Sequence, residues 1–177
     1  MEIEDFDTAR ISALAAEVVR ALSRNGHMLV TAESCTGGWI AKAITDIPGS
    51  SAVLDRGYVT YTNAAKHEML GVATATLERF GAVSEPVVAE MAQGALRRSH
   101  AAIAVAVSGI AGPGGGSIEK PVGTVCLAWA IGRDTEAETV HLEGDRSAVR
   151  GQTVLHALSG LIERAPRLAQ AGATRPR

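Results

Sequence analysis

Three residues of types that perform nucleophilic catalysis are spaced along the first part of the chain: Ser34, Tyr61 and Lys66. A serine hydroxyl is a weak nucleophile and needs a base or a proton relay. No histidine stands in an obvious partner position, but a lysine that is desolvated within a site can have its pKa lowered enough to act as a base. We therefore expect Tyr61 to pass a proton between Ser34 and Lys66.

Each of these residues also has a purely structural interpretation, and spacing alone does not exclude it. Ser34 can cap a helix, Tyr61 can be a half-buried strand residue and Lys66 can be a surface ammonium. The other candidate nucleophiles are Cys35 and Ser108, which also follow predicted strands. We interpret Cys35 as a small packing residue beside an exposed turn rather than as the nucleophile.

Ser34 lies in a polar, glycine-rich turn, residues 31–38, between an apolar strand and an amphipathic helix. The first N–H groups of a helix lack internal partners and carry the positive end of the helix dipole, so they favour an anion. Glu33 and Thr36 lie beside that position. We expect the backbone N–H groups of residues 35–38 to hold an oxyanion.

A second glycine-rich loop, residues 108–117, follows another apolar strand. In open α/β sheets, ligands bind outside the carboxyl ends of the strands, so we expect the two loops to meet there. Neither loop matches the phosphate-binding fingerprint of an ATPase or a dehydrogenase. Arg146 and Arg150 share one face at the start of the last helix, where they oppose its dipole; a bound phosphate explains this, and a solvated helix face is the alternative.

Hydrophobic periodicity predicts strands alternating with helices, the pattern of an α/β protein. We expect a single three-layer α/β/α domain with a mixed, mostly parallel sheet. The predicted strands cover residues 28–32, 52–62, 101–107, 122–131 and 135–142. The predicted helices cover residues 8–24, 39–47, 63–70, 84–99 and 145–165, with a possible turn of helix at 76–80.

Helix boundaries are predicted from capping residues and from proline and glycine. Asp7 or Thr8 is expected to cap the first helix, Asn63 the helix that carries Lys66, and Asp145 the last helix. That last helix is expected to stop before Pro166. The domain then spans residues 1–165, and residues 166–177 form a disordered tail.

Composition excludes several classes of protein. A net charge of −2 and an aromatic content of 3% provide neither a basic field nor a stacking platform for nucleic acid. Two distant cysteines argue against a disulfide framework or a zinc site, and five scattered histidines form no metal-binding pair. Without a signal sequence or a long apolar run, the chain is expected in the cytoplasm, away from membranes.

Taken together, these motifs resemble the CinA C-terminal domain family. The matching segments are residues 32–38, 58–66, 81–84, 108–113, 120–123 and 144–146, with Arg150. The resemblance implies hydrolysis of nicotinamide mononucleotide to nicotinic acid mononucleotide and ammonia, in pyridine nucleotide recycling. It also implies Ser34 as the nucleophile, with Tyr61 and Lys66 at the matching positions of the next motif. Family members often have serine where this chain has Thr62, which leaves the three positions intact.

The expected site contains no metal and no cofactor. Its expected substrate-binding residues are Glu33, Cys35, Thr36, Gly37, Gly38, Ser108, Gly109, Gly112, Gly114, Gly115, Arg146 and Arg150. Larger family members carry an extra N-terminal domain that this sequence lacks, so we expect a standalone catalytic domain. We also expect it to form a homo-oligomer. The alternatives are a nucleotide-binding module that does not hydrolyse its ligand and, from the family's name alone, a scaffold linked to competence or DNA damage.

Overall fold

The computed structural model describes the backbone of residues 3–172 and the side chains of residues 8–169, in which a single mixed sheet forms the centre. Strands β1 and β2 and strands β1 and β3 pair in parallel, whereas β4 is antiparallel to both of its neighbours. Four strands thus run in one direction, which confirms the predicted mixed, mostly parallel sheet. In the spatial order β2-β1-β3-β4-β5, the strands are β2 (Leu54–Val59), β1 (Leu29–Glu33), β3 (Ile103–Gly109), β4 (Thr124–Ile131) and β5 (Asp134–His141).

Helices cover both faces of the sheet, which confirms the three-layer architecture. The helices of the described chain are α1 (Ile3–Ser23), α2 (Trp39–Thr45), α3 (Asn63–Leu70), α4 (Thr74–Phe80), α5 (Glu85–Arg97) and α6 (Arg146–Gly172). The buried side chains of α1, α2 and α6 belong to the apolar cluster on one face, and those of α3, α4 and α5 to the cluster on the other. No helix within residues 3–172 is long and apolar enough to span a bilayer.

Side-chain size differs between the two faces of the central strands. On β3, Val105 and Val107 point towards α1 and α6, while Ala104 and Ala106 point towards α5. Because successive side chains of a strand alternate between faces, this pattern gives one face large residues and the other small ones. The alanine face lets α5 lie close to the sheet, and both faces of β3 are buried, as its continuous apolar run predicted.

The register of the strands brings the functional loops to one edge of the sheet. Glu33, the last residue of β1, pairs with Val59 of β2 and Val107 of β3. The loops that follow these three strands therefore start side by side. Strand β5 runs in the same direction and leads into α6, so Arg146 at the start of α6 belongs to the same edge.

Three predicted boundaries are wrong. Helix α1 begins at Ile3, so Asp7 and Thr8 lie within it rather than capping it. Thr62, not Asn63, caps α3, because Thr62 is extended and its hydroxyl oxygen accepts a hydrogen bond from the Ala65 N–H at 3.0 Å. Strand β2 is shorter than predicted because a 3-10 turn, Ser50–Ala52, occupies the beginning of that segment.

The end of α6 also differs from the prediction. Asp145 caps the helix as expected, accepting a hydrogen bond from the Ala148 N–H at 2.9 Å. The helix nevertheless continues through Pro166 to Gly172, so residues 166–172 are not a disordered tail; residues 173–177 lie outside the described part. Leu168 is buried in the core, and this burial offsets the hydrogen bond that the proline cannot make.

Candidate active site

Ser34 and Lys66 are in direct contact at the carboxyl end of β1. Lys66 Nζ lies 3.1 Å from Ser34 Oγ and 2.9 Å from the carbonyl oxygen of Thr60. Lys66 is only 1% exposed, and the structure gives its amine no carboxylate partner among the described residues. Burial lowers the pKa of Lys66 from its ordinary value of 10.5. The pair is therefore built as a nucleophile next to a base that loses its proton readily.

Backbone hydrogen bonds hold this pair in place. The Ser34 N–H donates to the Val107 carbonyl at 3.1 Å, which ties the start of the turn to β3. The Thr60 N–H donates to the Glu33 carbonyl at 2.8 Å, which extends the pairing of β1 and β2 beyond the end of β2. The Thr60 carbonyl, an acceptor for Lys66, is thereby fixed beside the residue that precedes the nucleophile.

Tyr61 lies at the same site but not between the other two residues. It is 59% exposed, and its hydroxyl oxygen accepts a hydrogen bond from Arg146 Nη2 at 3.0 Å. The second terminal nitrogen of Arg146 donates to the Gly112 carbonyl at 2.9 Å. The expected relay through Tyr61 is wrong in this geometry, because Lys66 contacts Ser34 directly.

A cavity of about 220 Å³ opens in front of Ser34 and Lys66. It unites the three predicted catalytic residues with Cys35, Ser108, Gly109 and Arg146. Ser108 is 1% exposed, and its hydroxyl has no hydrogen-bond partner within the described chain, so it is free to bind a ligand in this cavity. The carboxyl ends of β1 and β3 thus meet in one site, as predicted.

A second, larger cavity of about 520 Å³ adjoins the first and shares Ala111 and Arg146 with it. The start of α6 lines it through Asp145, Arg146, Ser147 and Arg150. Arg146 therefore stands where the two spaces meet. Together they provide a volume typical of sites for small organic ligands.

Glu33 and Thr36 were expected to bind substrate, but both are fully buried and neither lines the cavity at Ser34. Thr36 Oγ1 donates to the Glu33 carboxylate at 2.6 Å. The carboxylate also accepts the N–H groups of Gly38, Ile40 and Ala41 at the start of α2. The anion expected at this helix terminus is thus part of the protein, and Ser34 is not the cap of α2.

Arg150 lines the second cavity, but its guanidinium also bonds the backbone of the turn. Its Nε and Nη2 donate to the carbonyls of Cys35 and Thr36 at 3.1 and 2.9 Å, and its guanidinium lies 5.5 Å from the ring centre of Trp39. Gly37 and Gly38 line a separate groove behind the turn, together with Arg150.

Only some glycines of the second loop lie at the site. Gly109 lines the first cavity, and the Gly112 carbonyl holds Arg146. Gly114 and Gly115, which were expected to bind substrate, line neither of the two adjoining cavities.

Cys35 behaves as a packing residue. It is buried, and burial raises the pKa of its thiol to about 11. Since the thiolate is the reactive form, this environment does not favour a cysteine nucleophile. The choice of Ser34 over its neighbour is consistent with the electrostatics of the turn.

Sequence reasoning missed the wall formed by the link between α4 and α5. Ala82 and Val83 of this link line the first cavity, as does Asn63 at the start of α3, although none was named as a site residue. Lys120 fixes this link by donating to the carbonyls of Phe80 and Val83 at 2.8 and 2.7 Å. The motifs at residues 81–84 and 120–123 contained the only sequence signal for this contact.

Comparison with known proteins gives a consistent result. The CinA C-terminal domain family profile matches residues 11–165. The nicotinamide-nucleotide amidohydrolase PncC of Escherichia coli K12 is 54% identical over 156 residues, covering 86% of this chain and 93% of that protein. The CinA-like protein of Akkermansia muciniphila is 56% identical over 153 residues, but the match covers 86% of this chain and only 37% of that longer protein.

Solved structures agree with the fold. The competence/damage inducible protein CihA from Agrobacterium tumefaciens superposes with a TM-score of 0.85 at 52% identity, covering 87% of this chain and 94% of that one. A CinA superfamily protein from Klebsiella pneumoniae gives a TM-score of 0.86 at 41% identity, covering 89% and 98%. The chain belongs to the CinA C-terminal domain family.

Proposed function

We propose that this protein is an amidohydrolase that converts nicotinamide mononucleotide to nicotinic acid mononucleotide and ammonia, in pyridine nucleotide recycling. The observation that carries the proposal is the buried Lys66 amine, 3.1 Å from Ser34 Oγ in a cavity at the carboxyl edge of the sheet. The choice of substrate rests on relatives named nicotinamide-nucleotide amidohydrolase, which match over most of their length.

The first half of the reaction uses Lys66 as the base. The neutral amine accepts the proton of Ser34 as Oγ attacks the carboxamide carbon, forming a tetrahedral intermediate. The resulting Lys66 ammonium then donates a proton to the amide nitrogen as the C–N bond breaks and ammonia leaves. Lys66 then takes a proton from a water molecule that attacks the acyl carbon; as the bond to Ser34 Oγ breaks, the Lys66 ammonium returns this proton to Oγ and the carboxylate product leaves.

One backbone donor supports an oxyanion site beside Ser34. The Gly37 N–H donates to the Ser34 carbonyl and the Gly38 N–H to Glu33. Cys35 lines the cavity at Ser34, and within the described chain its N–H donates to no other residue, so we assign the oxyanion to this group. A preorganised donor of this kind stabilises the negative charge where it develops.

The substrate is oriented by the two adjoining cavities. We assign the carboxamide and ring to the cavity at Ser34, with Ser108 as a nearby hydrogen-bond donor. The 5′-phosphate then extends into the larger cavity at the start of α6, next to Arg146. Arg150 acts indirectly on the site by holding the turn that follows Ser34, because two of its nitrogens donate to backbone carbonyls of that turn.

The test is ammonia release from nicotinamide mononucleotide by purified protein without added metal. We expect Ser34→Ala to abolish release while the thermal unfolding transition is retained. Ser99→Ala is the matched control, since the Ser99 hydroxyl contacts only backbone around the end of α5. Wild-type turnover in Ser34→Ala would contradict the nucleophile assignment, and binding without ammonia release by the wild type would favour a non-hydrolytic binding module.

We also infer that the enzyme works in the cytoplasm and assembles with further copies of itself. Both cysteines are free thiols, as a reducing compartment requires. Val59, Tyr61 and Phe80 are large exposed apolar or aromatic side chains, the type that self-assembly buries. Light scattering of the purified protein measures its mass, and a monomer at micromolar concentration would contradict the assembly.

A further inference from the structure

The Glu33 carboxylate is an unusual buried group, because it sits next to the nucleophile without facing the substrate cavity. It is fully buried and accepts four hydrogen bonds. Oε2 accepts Thr36 Oγ1 at 2.6 Å and the N–H groups of Gly38 and Ile40 at 3.1 and 2.9 Å. Oε1 accepts the Ala41 N–H at 2.9 Å. The donors lie within the turn that follows Ser34 and in the first turn of α2.

These bonds close a turn that contains two adjacent glycines. Gly37 and Gly38 both have positive φ angles, 63° and 96°, and glycine restrains the backbone less than any other residue. Glu33 directly precedes Ser34 in the chain, and its carboxylate accepts hydrogen bonds from Thr36 and Gly38, which follow Ser34. Residues 34–37 are therefore held at both ends by one side chain.

The helix terminus supports the same arrangement. The N–H groups at the start of α2 carry the positive end of the helix dipole, and three of the four donors to Glu33 are backbone N–H groups at this terminus. A glutamine in its place would present an NH₂ group to donors that need an acceptor. The negative charge and both carboxylate oxygens are thus required for the turn to keep its shape.

We propose that Glu33 is a positioning residue of the hydrolysis reaction: it holds the turn so that Ser34 Oγ stays at Lys66 and the Cys35 N–H stays aimed at the oxyanion. The proposal rests on the function assigned to Ser34 above. Glu33 contacts neither substrate nor reacting atoms. Its effect therefore falls on the chemical step and not on substrate binding.

The first experiment compares Glu33→Gln with the wild type in steady-state ammonia release. We expect kcat to fall by about 10- to 100-fold, with KM within about twofold, because a displaced nucleophile and oxyanion site weaken only the transition state. The measurement is made well below the unfolding temperature, and kcat is expressed per folded molecule. An unchanged kcat, or a raised KM with unchanged kcat, would overturn the proposal.

Glu90→Gln is a matched control. The Glu90 carboxylate accepts the Ala73 N–H at 2.7 Å and Thr76 Oγ1 at 2.6 Å, so it makes the same kinds of bond at the start of α4, outside the cavity at Ser34. Both variants are expected to lower the unfolding temperature, and only Glu33→Gln is expected to lower kcat. Equal losses of kcat in the two variants would show a general effect of stability and would overturn the positioning role.

Thr36 provides a milder pair of variants in case Glu33→Gln does not fold. Thr36→Val removes only the 2.6 Å bond to the carboxylate, whereas Thr36→Ser keeps the hydroxyl. We expect Thr36→Val to lower kcat several-fold at unchanged KM and Thr36→Ser to restore it. Wild-type kcat in Thr36→Val would overturn the proposal.

The two proposals fail in different ways. An inactive Ser34→Ala together with wild-type kcat in Glu33→Gln and Thr36→Val overturns the positioning role alone. Wild-type activity in Ser34→Ala overturns the nucleophile assignment, and with it the positioning role.

Discussion

In the proposed mechanism, Ser34 and Lys66 act as nucleophile and base without a histidine. The amine is desolvated in the space between β1 and α3, and its two described acceptors, Ser34 Oγ and the Thr60 carbonyl, are neutral. Because neither acceptor carries a charge that offsets the loss of hydration, burial lowers the pKa of Lys66 from its ordinary value. At the scale of single residues, the proposed proton transfer from Ser34 to Lys66 depends on the two described acceptors of Lys66 being neutral.

The lowered pKa of Lys66 predicts the pH dependence of activity. Since the base must be neutral, kcat/KM should rise with pH and level off at a pH below 10.5, the ordinary pKa of a lysine side chain. Initial rates of ammonia release, measured as a function of pH, give this rise in kcat/KM. A rise whose midpoint lies at or above pH 10.5, or a kcat/KM that falls as the pH rises towards 10.5, would contradict Lys66 as the base.

The same shift predicts that stability, like activity, rises with pH. Between the folded-state pKa of Lys66 and 10.5, the unfolded chain binds a proton that the folded chain does not, so wild-type stability falls as the pH falls through this window. Lys66→Met removes the buried amine. We expect this variant to lose activity and also this part of the pH dependence of the unfolding temperature, with Lys42→Met, at an exposed site, as control.

The two arginines of α6 predict different kinetic effects. Arg146→Ala should weaken the binding of the mononucleotide but not that of its dephosphorylated riboside. Only the mononucleotide places a phosphate charge at the boundary of the two cavities. Arg150→Ala should lower kcat for both, because it frees the carbonyls of Cys35 and Thr36. Steady-state constants for the two substrates measure the difference, and an equal loss on both substrates in Arg146→Ala would exclude the phosphate contact.

At the scale of elements, a contact between two loops shapes the cavity. Lys120, from the loop between β3 and β4, donates to the carbonyls of Phe80 and Val83 in the link between α4 and α5. Ala82 and Val83 then form an apolar wall of the cavity at Ser34. One side chain thus couples two segments that are about 40 residues apart in the sequence.

Removing this contact should affect binding more than chemistry. We expect Lys120→Met to raise KM by a few-fold, since the wall loses its anchor while Ser34 and Lys66 keep their own supports. Lys42→Met is again the control, because Lys42 forms only an exposed pair with Asp46. A lowered kcat at unchanged KM would show that Lys120 acts on the reacting groups instead.

The sequence predicted the layers and the meeting of the two glycine-rich loops, because strand periodicity and α/β topology are local or general properties. It did not predict the hydrogen-bond partners. Glu33 and Thr36 have the polarity of ligand-binding residues, yet they bind each other. Arg150 and Tyr61 have tertiary partners more than 80 residues away, and no spacing rule indicates which of several polar groups such a side chain will meet.

At the scale of the whole molecule, α6 connects the site to the core. The helix starts at Arg146, beside the catalytic cavity, and packs along α1 on the same face of the sheet. Leu158 and Leu161 are buried in its middle, and Leu168 is buried beyond Pro166. The prediction that the last helix stops before Pro166 was wrong because the cost of one proline in a helix was judged without the burial that follows it.

This burial predicts that the segment after Pro166 stabilises the protein without taking part in catalysis. Leu168→Ala should lower the free energy of unfolding by about 2–5 kcal/mol, the usual range for deleting a buried leucine side chain. Glu163→Ala, at an exposed position of the same helix, should change it little. Urea unfolding measures both changes, and kcat well below the unfolding transition should match the wild type in both variants. A Leu168→Ala protein as stable as the wild type would show that the core ends at Ala165, as the proline alone suggested.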